Sequence, residues 1–322
     1  MSIHKSYFKK NNTILSNSSV NTAKNPVTEL YYGDSGLDVK TCIPSSFSGD
    51  TCVNYLGDTI SGYTSHLMCQ KHSRYIFELN LTDLQEKVDN GRINLVGSCN
   101  NDTVNHIVRM VNTSFFDDEL FNTRTSKNNL RATSFDLILF SVPQFWDEGV
   151  GYDYSNSVFS SPIEGNKTYS IESSNWYNSG TLTPWSTNGI YDYGLNPPTI
   201  LQTQHFDNGN ENIEMDITAH INTLLTASTS TNGYGIAFSK KYENTTGLTE
   251  SYSVGFFAKD TQTFYEPFLE TKFNDTIKDS RHHFYEGVTN HLYLHVNVGG
   301  IPTNSETIPL VNIYDVSGVL VG

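Results

Sequence analysis

RYIFELN, residues 74–80, sets Tyr75, Phe77 and Leu79 on one side of an extended chain and Ile76, Glu78 and Asn80 on the other. A period of two is the signature of a strand with one apolar face. Working outward, short apolar runs of this kind recur: HIVRMVNT (106–113), SFDLILFSV (134–142), TILQTQHF (199–206), NIEMDIT (212–218), YGIAFSK (234–240), YSVGFFA (252–258), FLETKF (268–273), HLYLHVNV (291–298) and IPLVNIYDV (308–316). Turn-forming clusters separate them and little helix intervenes, which predicts an all-β chain built as a jelly-roll-like β-sandwich rather than a parallel α/β sheet. One short helix is expected at LTDLQEKVDNG (81–91), where Thr82 and Gln85 have capping-box spacing and Gly91 sits at a C-terminal cap.

The predicted sandwich covers residues 73–281. Residues 1–33 hold many Asn, Ser and Thr and little periodic apolar pattern, so an extended N-terminal arm is expected there, ordered only against a neighbouring subunit. Residues 34–72 are rich in Gly, Ser and Thr and read as a loop-rich insertion. Residues 282–322 read as a C-terminal β extension, with HLYLHVNV and IPLVNIYDV as two strands of a hairpin that completes a sheet of another subunit or leans on the main sandwich. No period of 20–50 residues repeats, which argues against propellers and solenoids.

Composition supports the β reading. Charged residues make up only 17% of the 322, against about 25% on average. Their place is taken by Asn, Ser, Thr, Tyr and Gly, residues of turns and uncharged pleated surfaces. A net charge of -14 disfavours nucleic-acid binding by the chain as a whole, and the group His4, Lys5, Lys9 and Lys10 reads as solvated. No apolar run approaches the ~20 residues of a membrane helix, and MSIHKSYFKKNN lacks a secretory apolar core, so a cytosolic folding compartment is expected. In that setting Cys42, Cys52, Cys69 and Cys99 read as reduced thiols.

The chemistry of the chain is read largely from what its motifs lack: no phosphate-binding loop, dinucleotide fingerprint, nucleophile elbow or H-E-x-x-H stands in the sequence. No catalytic residue, cofactor or metal is therefore expected. His291 and His295 would stand about 13 Å apart on a strand, too far for one zinc ion. Cys42, Cys52, Cys69 and His72 include one C-x-x-H pair but no second close pair, so unpaired thiols are preferred over zinc. Asp147, Glu148 and Asp153 stand beside glycines, where a Ca²⁺ site or an acid/base pair competes with the simpler reading of a turn over Trp146. Trp176, Tyr177, Trp185, Tyr191 and Tyr193 lie in a Gly/Asn/Ser-rich setting, as a glycan-stacking platform, a subunit contact or packing.

From about residue 135 to 273 the order of signals resembles the DNRLRE-type β-sandwich domain of bacterial surface proteins and polysaccharide-binding modules. The residues that carry it are WDEGVGYDY (146–154), Trp176 or Trp185, Asp216 and Thr218 of MDIT, GYGIAF (233–238) and EPFLETKF (266–273). Over nearly the whole chain the pattern resembles virion proteins of tailed phages, marine and crAss-like ones included. Four segments carry this in order: NTAKNPVTELYYG (21–33), SRYIFELNL (73–81), RATSFDLILFSVPQFWDEGVGYDY (131–154) and FFAKDTQTFYEPFLETKFNDT (256–276). The cysteine-bearing region departs from that pattern as an insertion, and the last forty residues resemble the opening strands of an Ig-like domain.

The resemblance implies a structural virion component at the portal vertex or tail, as a hub, ring or fibre-attachment protein. It would be oligomeric, docked to other virion subunits and assembled in the bacterial cytoplasm, with no membrane or direct nucleic-acid partner. The alternative it implies is a carbohydrate- or receptor-binding module on the virion surface. Partner contacts are expected from Asn25, Pro26, Leu30, Tyr31 and Tyr32 in the arm, and from Leu292, Tyr293, Leu294, Val296 and Val311 in the C-terminal extension.

Overall fold

The computed structural model describes residues 2–16, 21–34, 51–53, 59–61, 70–93, 95, 104–113, 129–151, 173–244, 251–274, 287–290, 292, 297–298, 301–302, 310–315 and 317–320. The chain forms two compact units, residues 1–274 and 275–322. The strands of the first unit are β1 (Ser2–Leu15), β2 (Val27–Asp34), β3 (Thr51–Val53), β4 (Thr59–Ser61), β5 (Gln70–Leu79), β6 (Asn105–Met110), β7 (Asn129–Arg131) and β8 (Phe135–Ser141). They continue as β9 (Asn178–Gly180), β10 (Thr183–Pro184), β11 (Ile200–Phe206), β12 (Ile213–Asp216), β13 (Tyr234–Phe238), β14 (Ser251–Phe257) and β15 (Phe268–Phe273). Helices α1 (Thr82–Asp89), α2 (Thr218–Ala227) and α3 (Lys240–Glu243) interrupt them. In the second unit β16 (Asn297–Val298) pairs antiparallel with β17 (Ile301–Pro302).

The fold is all-β and sandwich-like, and β1 is the strand its two layers share. Its first half pairs with β15, from Ser2 opposite Phe273 to Tyr7 opposite Phe268. Its second half pairs with β5, from Phe8 opposite Leu79 to Leu15 opposite Ser73, and the register slips between Phe8 and Lys10. The extra residue there bends the strand out of one sheet and into the other. One layer runs β1–β15–β6–β12 and the other β1–β5–β13–β8–β11, while β2, β14 and β7 form a flanking group joined through β5.

Alternate residues of these strands meet between the layers. Tyr75, Phe77 and Leu79 point there from β5, joined by Leu137 and Leu139 of β8 and Leu269 of β15. The ring of Phe8, at the corner of β1, stacks on Phe77 with centroids 4.1 Å apart. The two end strands, β11 and β12, would leave open edges. Gln204 bridges them with its side-chain amide: Nε2 donates to the Asn212 carbonyl at 2.8 Å, and Oε1 accepts from the Glu214 N–H at 2.8 Å.

The expected arm is thus a correction. Residues 2–15 form a strand shared by both layers, and Leu30 and Tyr32 are buried inside the chain rather than held out to a partner. The reason lies in what β1 buries. Asn11, Asn12 and Thr13 are almost wholly enclosed but hydrogen-bonded, so burial leaves no apolar period in this stretch. The capping box at Thr82 is also absent: Asn80 Oδ1 accepts the Thr82 N–H at 3.3 Å, and Gln85 bonds forward to Asp89 at 2.8 Å. Its C-terminus is as expected, with Gly91 at φ +69° and N–H bonds from Gly91 to Val88 and from Arg92 to Lys87.

Among the described residues two further helices join the one expected. NIEMDIT ends as a strand at Asp216, whose Oδ1 accepts the Thr218 N–H at 2.8 Å and opens α2, and the end of YGIAFSK becomes α3. In the second unit the paired strands are two residues long and closer in sequence than expected. β17 lies in the stretch that joins the two expected strands, and it pairs with the end of HLYLHVNV.

His106 of β6 is fully buried and ties α2 to the sheet. Its ring nitrogens lie 2.8 Å from Thr271 Oγ1 and 3.1 Å from Asn222 Oδ1. Burial pushes this imidazole down to about 4, against the Asn222 hydrogen bond and the Asp216 charge.

Two outcomes follow for stability. Phe8→Ala should cost about 3–5 kcal/mol in urea unfolding, as for a core aromatic, and limited proteolysis should not release residues 2–15 ahead of the rest. A cut there with an unaffected fold would refute the shared strand. The unfolded chain binds a proton at His106 below its ordinary value of 6.5, whereas the folded chain does so only near 4. Stability from this group is therefore complete above pH 6.5 and falls as pH drops toward 4, by on the order of 2 kcal/mol at pH 5. His106→Gln should flatten that part of the pH profile of unfolding free energy.

Candidate functional site

The β5–β13–β8 layer has a second buried face. Ile76, Ile138, Phe140 and Ala237 point away from the sandwich interior and meet Trp146, Trp176, Trp185 and Tyr191 from the segments after β8 and around β9 and β10. Both faces of these strands are covered, so SFDLILFSV reads as a continuous apolar run rather than an alternation. The three tryptophans are buried, and the indole N–H of Trp146 donates to the Asn232 carbonyl at 2.8 Å and that of Trp185 to the Asn175 carbonyl at 2.7 Å. Tyr177 and Tyr193 pack half-buried against the same cluster. Of the readings open for these five aromatics, packing is the one observed. A glycan-stacking platform is corrected, because the three largest faces that it needs are turned into the protein.

At the middle of this cover lies a buried charge pair. Arg74 Nε donates to Glu243 Oε1 at 2.9 Å and Nη2 to Oε2 at 2.8 Å, with both side chains almost fully enclosed. Nη1 donates to the carbonyls of Gly189 and Tyr191, and the guanidinium carbon lies 3.5 Å from the Tyr191 ring centroid. Tyr191 Oη donates to Glu243 Oε2 at 3.1 Å. Glycine is required at 189, where φ is +72° and a Cβ would come within 2.5 Å of the Trp176 ring. Beside the pair stands His72. Burial pushes its imidazole down to about 4, the Glu243 carboxylate opposing the drop and the Arg74 guanidinium reinforcing it.

A second polar cluster joins the WDEG turn to β1 and to the stretch after β14. Glu148 Oε1 accepts from Lys259 Nζ at 2.6 Å, from the Asn11 N–H at 3.0 Å and from Asn11 Nδ2 at 3.3 Å, while Oε2 accepts from Lys24 Nζ at 3.3 Å. Burial works to raise the Glu148 carboxyl. The hydrogen bonds from Lys259 and Asn11 and the two lysine charges outweigh it and hold the group below its ordinary range. Asn21 completes the junction, donating to the carbonyls of Glu148 and Ser174 and accepting the Gly151 N–H at 2.9 Å. A Cβ at Gly151 would stand 2.1 Å from the Asn21 carbonyl oxygen.

This arrangement corrects two of the options open for WDEGVGYDY. A carboxylate already holding two ammonium groups is neither a Ca²⁺ ligand nor a proton donor tuned upward for glycoside cleavage, and Asp153 lies outside the described residues. Among the described residues no three His, Cys, Asp or Glu side chains come together as a metal site. The side chains of the four cysteines, and His282, His283, His291 and His295, lie outside those residues.

Of the expected partner contacts, Pro26 is exposed and Asn25 and Tyr31 are half-exposed. Leu292 and Val311 are exposed in the second unit, while Tyr293, Leu294 and Val296 lie outside the described residues. Sequence reading missed Arg74, Glu243, Asn11, Lys24 and Lys259. The signal for Arg74 was present, as a full charge opening an apolar strand, but its partner is 169 positions away.

No protein-family model matches the chain, and no curated protein is similar to it.

Replacing one member of a buried pair strands the other, so Arg74→Met should cost about 3–5 kcal/mol in denaturant unfolding. Arg74→Met combined with Glu243→Leu should cost clearly less than the two single changes added together. Strict additivity would mean that the two charges are not coupled.

Proposed function

We propose that this chain is a structural component of a tailed-phage virion, at the portal vertex or tail, working as a hub, ring or fibre-attachment protein by docking other subunits. The observation that carries the reading is the ordered likeness of four separated segments to such virion proteins. In the fold these segments supply one framework. The first contains β2, which pairs with the end of β14 that opens the fourth, and Ser73 Oγ of the second donates to its Glu29 carbonyl and accepts its Tyr31 N–H. The third contains β8 and Glu148, whose carboxylate binds Lys24 of the first and Lys259 of the fourth. The likeness thus rests on residues that determine the fold, and function is drawn from it by analogy.

Docking is supported further by large apolar side chains held in water. Phe264 is 89% exposed beside Tyr265, and Leu182 and Leu195 are 82% and 90% exposed in the loops that cover the sheet. Such groups gain by burial against another subunit. The proposed partners are other virion proteins and further copies of this chain in a ring, assembled in the bacterial cytoplasm without membrane or direct nucleic-acid contact. Assembly, not turnover, is the proposed activity. Burial of the tryptophans removes the stacking faces proposed for a glycan, which favours docking over the carbohydrate-binding alternative.

Mass spectrometry of density-purified particles should find this chain at a fixed ratio to the portal subunit, and immunogold labelling should mark one end of the head or the tail. Its presence in the infected lysate but absence from purified particles would overturn the reading.

A further inference from the structure

We propose that Lys259 and Asn11 become joined by an intramolecular isopeptide bond, with Glu148 passing a proton from the attacking nitrogen to the leaving one. The inference does not depend on the virion reading. It rests on three contacts that converge on one side-chain amide. Glu148 Oε1 touches both nitrogens concerned, Lys259 Nζ at 2.6 Å and Asn11 Nδ2 at 3.3 Å. The oxygen of the same amide, Asn11 Oδ1, accepts from the buried Tyr75 hydroxyl at 2.9 Å and from the Lys259 backbone N–H at 3.3 Å. Asn11 is 1% exposed, and the side chains of Lys259 and Glu148 are 19% and 20% exposed, so water has little access to the amide carbon.

Each contact has a place in the reaction. The Lys259 ammonium gives one proton to Glu148, and its neutral Nζ attacks Asn11 Cγ. Negative charge gathers on Oδ1, where the Tyr75 hydroxyl and the Lys259 N–H already point. Glu148 returns its proton to Nδ2, the Cγ–Nδ2 bond breaks, and the new Cγ–Nζ amide remains. Ammonia leaves and takes up the second ammonium proton, so ammonium is the product and nothing is oxidised or reduced. The ion pair opposes the first transfer, but each molecule needs to react only once. A rate on the order of 10⁻⁴ per second would still complete within about a day. The bond would join β1 to a segment 248 positions further along the chain.

The test is the intact mass of the full-length folded protein, aged at neutral pH and then denatured. The expected species is lighter by one ammonia, and proteolysis should yield a branched peptide joining Asn11 to Lys259. Succinimide at Asn90, Asn188, Asn208 or Asn232, each followed by glycine, has the same mass loss but is opened by mild alkali, whereas the isopeptide persists. Lys259→Arg retains a cation for Glu148 and should fold with the same circular dichroism but keep its full mass. Glu148→Gln should also keep its full mass, with Lys259 and Asn11 both present. Lys24→Arg should leave the bond in place. Full mass for the aged wild-type protein, or a link from Asn11 to Lys24, would overturn the proposal.

Discussion

The sandwich depends on the bend in β1 between Phe8 and Lys10. A continuous strand has to serve two layers, so its hydrogen bonds must change direction within a residue or two, and the extra residue at this point makes the change possible. Phe8 then lies at the corner, stacked on Phe77, where it fills the angle that the bend opens. The other layer contacts inherit their register from this one: β15 is set by the first half of β1, β6 by β15, and β5 by the second half.

That dependence explains why so much polarity is buried around β1. Past the bend neither face of the strand is left to solvent, and a hydrocarbon-lined second face would compete with the aromatic interior for the same layer. Asn11, Asn12, Thr13, Asn21 and Thr22 instead form a hydrogen-bonded seam that accepts only one arrangement of neighbours. Burying such groups gives little net stability per bond, but leaving any one of them unmatched is costly. The seam therefore contributes more to uniqueness of the fold than to its free energy.

The same physics decides what could be read from the sequence. β6, whose alternate residues are hydrocarbon, and β5 and β8, whose apolar runs are covered on both faces, were legible because their pattern is a direct image of their burial. β1 was not, since asparagine and threonine look like surface until their partners are known. The tryptophan-bearing cover was legible as distinctive but not as buried, because glycine and asparagine, which usually mark exposed loops, here let the backbone press close to the rings. Arg74 with Glu243, and Glu148 with its lysines, depend on contacts between positions far apart in the chain. Without a view of which strands are neighbours, no local pattern announces them.

The position of β1 in chain order also bears on how the protein is made. β1 leaves the ribosome before the other strands of its unit, yet the partner of its first half, β15, is the last of them to be synthesised. At ordinary elongation rates the interval is about 10–50 s, long beside the microseconds in which a hairpin forms. During that time the second half of β1 can pair with β5 as soon as it emerges, while residues 2–7 wait as an unpaired edge. The nascent unit thus carries a half-finished sheet from the emergence of β1 onward, and only the arrival of β15 lets the two layers close on one another.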